Sequence, residues 1–510
     1  MKRNFFANTM TLALTAQLLR IVGIAFTAYL TRRIGAEGVG LYQLILSVYF
    51  LAATLASSGI STAVSRLTAE LLPKCGRGRP DGALRKALPL SLLLGLVAGV
   101  ALYLLAVPIG EGLLKDARTV PSIQMLAAGL PFMAMSSSLQ GYFFGVRKAI
   151  QPSVQMVFEQ VLRMGLIMAV IGAFLPRGLA ASCFAIILCC MISEALSCAF
   201  GFVLYIADAR KGVCAVREPG MLRKLAGIAL PVALTGYLRA AFKTAENVLI
   251  PSGLRANGKT EGQALAQYGL IGMASPVLFF PSGILAAAAT LLIPEASEAR
   301  ASGHEERVRR IFARTFRMTV LFALLFGVLF TTLGNQLGEL IFRNADAGSL
   351  ITALAPLVPL MYLDFVVDAL LTGLGQQMKT LRINMVDYAL RVGLILLLIP
   401  RFGFVAYIVV LYFSTVLNAT LSIRRLLIAS GCRIDYPLWV WGPILSAAIA
   451  GGLALLISRL LHLDGVLGVT LQALLTSVLY IALLRLTRCL TRDDLNWMKD
   501  LARVARQRKV

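Results

Sequence analysis

The sequence predicts an all-α polytopic membrane protein of about fourteen transmembrane helices, arranged as two parallel six-helix lobes followed by two further helices. Three observations predict it. First, 58% of the 510 residues are hydrophobic and only 15% are charged, with a mean hydropathy of +0.79. A soluble chain of this length carries roughly a quarter charged residues, so a soluble enzyme is excluded. Second, apolar runs of about 20 residues, each long enough to span a bilayer, recur from end to end. Third, the second half of the chain repeats the first, at an offset of 228 residues where the match is strongest and with a slipped register upstream.

The spans lie near 9–30, 40–66, 87–108, 122–146, 153–175, 179–206, 226–251, 267–294, 316–334, 350–374, 383–400, 403–423, 436–461 and 465–486. The first follows Met1–Phe6 with no small-residue cleavage site, which reads as an uncleaved span rather than a removed leader. The net charge of +24 could signal nucleic-acid binding, but most basic residues sit in short loops between apolar runs. The loops after even-numbered spans and the two termini hold 31 Lys and Arg, against 9 in the loops after odd-numbered spans. That asymmetry places both termini in the cytoplasm. No cysteine of the eight then lies in an external loop, so structural disulfides are not expected. With no CxxC and only His304 and His462 as imidazoles, neither a metal site nor a cofactor is expected.

The repeat aligns Met125–Gly145 with Ala353–Gly373 at an offset of 228 residues, Pro131 over Pro359. The same offset sets Glu159 over Asp387 and Arg163 over Arg391. About six spans are covered, and an even number returns the chain to the same side, so the two copies must be parallel. The expected units are residues 1–211 and 212–430 as lobes, 431–486 as two added spans, and 487–510 as a basic cytoplasmic tail. Substrate is expected between the lobes, near the bilayer midplane.

Gly253-Leu254-Arg255-Ala256-Asn257-Gly258-Lys259-Thr260 fits the P-loop pattern. A P-loop must follow a strand and open a helix of a nucleotide-binding domain; this segment follows a membrane span, so no ATP binding is expected. Charges inside spans are more informative, because they are costly there and face a cavity or a partner. Glu159/Arg163 and Asp387/Arg391 are each spaced i, i+4 and can neutralise themselves on one helix face, as structural ion pairs or as substrate contacts. Arg239, Lys243 and Glu246 share one stripe of the seventh span. Arg20 lies deep in the first span and Arg66 near the end of the second. Arg20, Arg66, Arg239 and Lys243 have no evident local partner and are candidates for binding an anionic headgroup. The alternative is cross-helix pairing with Glu194, Asp364 or Asp368. Asp364 and Asp368, like charges one turn apart, resist joint ionisation; with Glu246 they are candidates for holding a proton or monovalent cation, or they answer the bases of other spans. Pro276, Pro281 and Pro294, and Pro356 and Pro359, mark breaks suited to a helix bundle that moves. Trp439 and Trp441 read as an interfacial belt. The tail from Arg503 to Lys509 suits anionic lipid headgroups.

Several stretches in order resemble a known family: Gln17–Gly23 followed by Arg32-Arg33-Ile34-Gly35; Ser58-Gly59-Ile60 through Arg66 and Glu70; Glu159-Gln160 with Arg163; Leu249-Ile250-Pro251 with Tyr268-Gly269; and Gly373-Leu374-Gly375-Gln376. They resemble the polysaccharide-transport branch of the multidrug/oligosaccharidyl-lipid/polysaccharide (MOP) flippase superfamily, in particular its stage V sporulation protein B-like group, with lipid II flippases as relatives. The resemblance implies a MATE-like pair of lobes in the bacterial cytoplasmic membrane, and no enzymatic activity. It implies movement of undecaprenyl-pyrophosphate-linked saccharides, such as a peptidoglycan precursor, from the inner to the outer leaflet. The pyrophosphate would enter a basic cavity, and Arg20 matches an arginine of the first span in lipid II flippases. Those relatives carry another six residues on, where this chain has Phe26. The partners implied are the lipid-linked saccharide and membrane lipids, without nucleic acid or ATP, the chain acting as a monomer. A cation-coupled multidrug antiporter is the competing function, for which an acidic cavity is expected; a membrane scaffold would not need charges inside its spans.

Overall fold

The computed structural model describes residues 2–75, 79–210, 212–214, 220–432, 434–460 and 465–490. His462 and the tail from Arg503 to Lys509 lie outside the described residues, as do the side chains of residues 2–11 and of Pro294. Nearly all of the described backbone is helical, as it must be where no water can satisfy its polar groups.

The chain forms α1 (Lys2–Ser57), α2 (Ile60–Leu71), α3 (Gly82–Leu104), α4 (Val120–Ala127), α5 (Leu130–Gly145), α6 (Ile150–Phe174), α7 (Leu179–Ala209), α8 (Met221–Ala256) and α9 (Glu261–Phe279). It continues through α10 (Ser282–Ala301), α11 (Glu305–Phe342), α12 (Ala345–Leu354), α13 (Val358–Gly373), α14 (Gln377–Phe402), α15 (Phe404–Ser430), α16 (Gly442–Leu460) and α17 (Gly465–Leu486). Eleven helical segments among the described residues are long and apolar enough to cross a membrane. The first of these, Leu14–Leu71, is more than one helix: Gly35 interrupts α1 with φ 70° and ψ −179°, a conformation open to glycine. α4 and α5, broken apart near Pro131, are each too short to be counted, and α9 and α10, broken near Pro281, also fall outside the eleven. The all-α polytopic class therefore stands, while this criterion yields eleven segments rather than fourteen.

The repeat is visible in the helix boundaries. Shifting α5, Leu130–Gly145, by 228 residues lands on α13, Val358–Gly373. Shifting α6 lands within one residue of α14. In both copies a short helix precedes a proline-bearing break, α4 before α5 and α12 before α13.

The described chain divides into two compact units, residues 1–272 with 392–406, and residues 273–391 with 407–510. In the first unit, the connections after odd-numbered spans meet at one end. Arg118 pairs with Glu37 at 3.1 Å, Asp116 at 2.9 Å and Glu261 at 2.8 Å, and Arg255 donates to the Leu114 carbonyl at 2.7 Å. The connections after even-numbered spans meet at the other end. There Arg79–Pro80 pairs with Val213–Cys214, Lys148 pairs with Asp208, and the Tyr205 hydroxyl donates to Asp81 at 3.4 Å. The alternation of sides expected from hydropathy is thus present in this unit. Below the Arg118 cluster α1 and α9 touch backbone to backbone: a Cβ on Gly40 would lie 2.0 Å from the Leu265 carbonyl oxygen, and one on Gly269 2.1 Å from that of Ala36. Only glycine permits that approach.

In the second unit, α16 and α17 pack on α11 through Leu321, Ala447, Ala450, Tyr480 and Leu484, and the Tyr480 hydroxyl donates to the Leu321 carbonyl at 3.1 Å. The Tyr362 hydroxyl of α13 donates to the Leu278 carbonyl at 2.5 Å, and the Ser297 hydroxyl of α10 donates to that of Gly373 at 2.8 Å.

Three acids share one guanidinium at the Arg118 cluster, and this has a pH signature. Burial raises the Asp116 carboxyl, but hydrogen bonds from Arg118 outweigh it and hold the group below its ordinary 3.8. Burial, and then the neighbouring Asp116, push Glu261 above its ordinary 4.5. Stability should therefore rise as pH falls toward 4.5, because folded Glu261 takes up a proton before the unfolded chain does. It should then be lost as pH falls below 3.8 through the depressed Asp116 value. Melting temperatures against pH for the native chain and Glu261→Gln should differ over the first window and converge in the second; identical profiles would refute the assignment.

Candidate substrate and ion sites

The first unit contains a cavity of about 310 Å³ lined by α1, α5, α6 and α7. Tyr42, Tyr49, Gln140, Glu159, Arg163 and Glu194 supply its polar wall. Glu159 and Arg163, one turn apart on α6, are brought into direct contact. Arg163 also approaches Glu194 of α7 at 3.8 Å and donates to the Ser193 hydroxyl at 3.4 Å, while the Ser197 hydroxyl donates to Glu159 at 3.3 Å. Two carboxylates thus face one guanidinium, so the group carries a formal surplus of one negative charge.

The second unit places an equivalent arrangement at the repeat position. Arg391 pairs with Asp387 at 2.9 Å on α14 and donates to the Ser414 hydroxyl of α15 at 2.9 Å; Ser414 in turn donates to Asp387. In both copies an i, i+4 ion pair is held by a hydroxyl of the next helix. Amides of neighbouring helices hold Asp364 and Asp368 of α13, and Asp364 has no base within 4.0 Å among the described residues. The Asn418 amide donates to Asp364 at 3.0 Å, and the Asn384 amide to Asp368 at 3.1 Å. Oδ1 of Asp364 is buried and makes no hydrogen bond among the described residues.

Of the four bases expected to lack local partners, two have them. Arg66 pairs with Glu70 at 2.9 Å, one turn on, with both side chains more than half exposed. Lys243 pairs with Glu246 at 3.3 Å, and Glu246 is buried. A single helical turn suffices for both contacts, and the sequence spacing already contained them. Arg239 differs: it is exposed on α8 and has no carboxylate within 4.0 Å among the described residues. A guanidinium in the middle of a span is costly against lipid. Arg20 is half-buried on α1 and makes an interaction of its own, and Phe26 is buried.

Sequence reasoning missed Asn384, Asn418, Ser193, Ser197 and Ser414. Single amides and hydroxyls are common in apolar spans, and only their helical register with the acids could have singled them out.

The P-loop-like segment is the last turn of α8 and a turn at Asn257–Gly258, with a helix before it and no strand. Lys259→Ala should therefore leave transport within about twofold of the native rate, there being no phosphate cradle to lose. ATP binding that disappears in that variant would overturn this. Among the described residues no group of His, Cys, Asp and Glu could hold a metal ion. Seven cysteines are free thiols there.

Broken apolar helices in two copies of one repeat, with ion pairs inside the spans, are the architecture of a membrane transporter. The model of the family described as polysaccharide biosynthesis protein matches residues 5–299, and the chain belongs to that family. It is similar to stage V sporulation protein B of Bacillus subtilis (strain 168), 25% identical over 407 residues that cover 78% of this chain and 79% of that protein. Among solved structures it is similar to the lipid II flippase MurJ in an inward closed conformation, with TM-score 0.69 at 11% identity, covering 94% of this chain and 97% of that one. It is also similar to an inward-facing multidrug resistance MATE family transporter of the MOP superfamily, with TM-score 0.64 at 16% identity, covering 84% and 99%. The fold is that of the MOP superfamily.

Proposed function

We propose that this transporter carries an undecaprenyl-pyrophosphate-linked saccharide, of which a peptidoglycan precursor is one example, from the inner to the outer leaflet of the bacterial cytoplasmic membrane. The observation that carries the reading is Arg239, a cation exposed within a span and without a carboxylate within 4.0 Å among the described residues. The similarity to stage V sporulation protein B and to the fold of MurJ supports it. Arg239 and Arg20 meet the pyrophosphate first; Lys243 and Arg66 join as they exchange Glu246 and Glu70 for phosphate oxygens. Alternating access moves the repeats, residues 1–211 and 212–430, around the headgroup. Asp364, Asp368 and Glu246 take up a proton or monovalent cation, and the chain acts as a monomer.

In this reading the pairs α4–α5 and α9–α10 are broken spans that bring the total to fourteen, and both termini are cytoplasmic. An impermeant thiol reagent applied from outside should then label Lys259→Cys, which is exposed, and spare native Cys75. The opposite labelling would invert the orientation. The flippase itself is tested in proteoliposomes with a fluorescent undecaprenyl-pyrophosphate sugar. Transfer between leaflets should require the chain, and a rate equal to that of empty vesicles would refute it. The acid-rich cavity at Glu159 and Glu194 favours a second reading, a cation-coupled multidrug antiporter. Proton-driven export of an organic cation, with no lipid transfer in the same vesicles, would establish that instead.

A further inference from the structure

Both copies of the repeat break their second span at the same motif, Ser58-Gly59-Ile60 in the first and Ser282-Gly283-Ile284 in the second. A helix that stops inside a bilayer leaves carbonyls that need other partners. In each copy a tyrosine hydroxyl supplies one. The Ser58 N–H bonds the Thr54 carbonyl at 2.9 Å, and the neighbouring Leu55 carbonyl accepts from the Tyr237 hydroxyl of α8 at 3.2 Å. The Phe280 N–H bonds the Val277 carbonyl at 3.3 Å, and the neighbouring Leu278 carbonyl accepts from the Tyr362 hydroxyl of α13 at 2.5 Å.

The two breaks nevertheless differ in stiffness. Gly59 holds φ 80° and ψ −29°, at a residue whose backbone can change at little cost. The second break turns on Pro281, whose ring fixes its φ, here −66°. Tyr237 is half-buried and Leu55 is 46% exposed, whereas Tyr362 and Leu278 are 1% and 2% exposed. Substitute partners differ as well. Residues 54–65 carry six hydroxyls, on Thr54, Ser57, Ser58, Ser61, Thr62 and Ser65, which can take over a freed backbone group. The matching residues 278–289 carry one, on Ser282, and it already donates to the Phe279 carbonyl at 2.7 Å. Gly59 also lies against α8: a Cβ there would be 2.2 Å from the Ala229 carbonyl oxygen, two residues before Pro231. A proline inside a helix removes one backbone bond and lets the helix bend, so two weak points meet at this turn.

We propose that the turn at Ser58–Gly59 is a moving joint, at which α2 swings relative to α1 when the Tyr237 hydroxyl leaves the Leu55 carbonyl, and that the turn at Pro281–Ser282 is its rigid counterpart. One copy of the repeat bends at its second span and the other does not. The inference stands on the two breaks and does not depend on which molecule is carried.

The test is hydrogen–deuterium exchange of the full chain in detergent micelles, read by mass spectrometry, with melting temperatures alongside. After correction for intrinsic rates, amides in residues 58–66 of the native chain should exchange about tenfold faster than those in residues 282–290, since exchange reports local opening. Tyr237→Phe keeps the ring and removes only the hydroxyl. It should raise exchange in residues 58–66 about fivefold further and leave the melting temperature within about 1 °C of the native value. Tyr362→Phe should lower the melting temperature by about 3 °C or more, because a buried carbonyl loses its donor, while exchange in residues 282–290 rises less than about twofold. Equal exchange of the two segments in the native chain would overturn the proposal, as would a Tyr237→Phe chain with native exchange in residues 58–66. So would a Tyr362→Phe chain whose residues 282–290 exchange as fast as residues 58–66 of the native chain.

Discussion

Arg239→Glu should abolish lipid transfer, Arg239→Ala should slow it severely, and Arg239→Lys should be the mildest of the three. The order follows from a Coulombic role. Lysine keeps the charge but loses the bidentate fork, alanine removes the charge, and glutamate repels the phosphates. Arg239 is the position for this series because Lys243 already answers Glu246 at 3.3 Å and Arg66 answers Glu70 at 2.9 Å. The same reading sets the response to voltage. A pyrophosphate diester carries about two negative charges, and the field does about 2.3 kcal/mol of work per charge per 100 mV. An interior-negative potential therefore drives it outward without ATP, and the chain's part is to replace the water that the phosphates lose. Leaflet transfer in proteoliposomes should accelerate when a potassium gradient makes the donor side negative. A rate independent of voltage, with Ala and Glu variants as active as the native chain, would remove the support for an anion carrier.

Arg163→Ala should be the most destabilising single substitution among the charges within the spans. It strands Glu159 and Glu194 together, with side chains only 20% and 13% exposed. Breaking a buried pair from one side costs about 3–5 kcal/mol. Arg163→Ala with Glu159→Gln should recover part of that loss, because one stranded charge is removed. The same comparison at Arg391 and Asp387 should behave alike, since Ser414 holds that pair as Ser193 and Ser197 hold the first. Thermal unfolding in detergent reads both cycles. A double variant less stable than either single change would show that the pairs do not act as units.

The sequence by itself determined the class of fold, because hydropathy and the scarcity of charge leave only helices in a bilayer. It also determined the repeat, and helices α5 and α13 obey the 228-residue offset at both ends. The i, i+4 pairs at Glu159/Arg163 and Asp387/Arg391 were legible for the same reason: one helical turn sets the distance, and no other part of the molecule is needed. By that rule Glu70 and Glu246 were legible too, as partners of Arg66 and Lys243. Tertiary structure decided what one helix cannot specify. It joined Glu194 to Arg163 across α6 and α7, and it gave Asp364 and Asp368 amide partners from α15 and α14. It gathered Glu37, Asp116 and Glu261 around Arg118, from three segments far apart in the chain. The physical reason is common to all three. Local spacing governs contacts within a turn of helix, whereas contacts between helices depend on how closely their backbones approach, as Gly40 and Gly269 allow for α1 and α9 beside the Arg118 cluster.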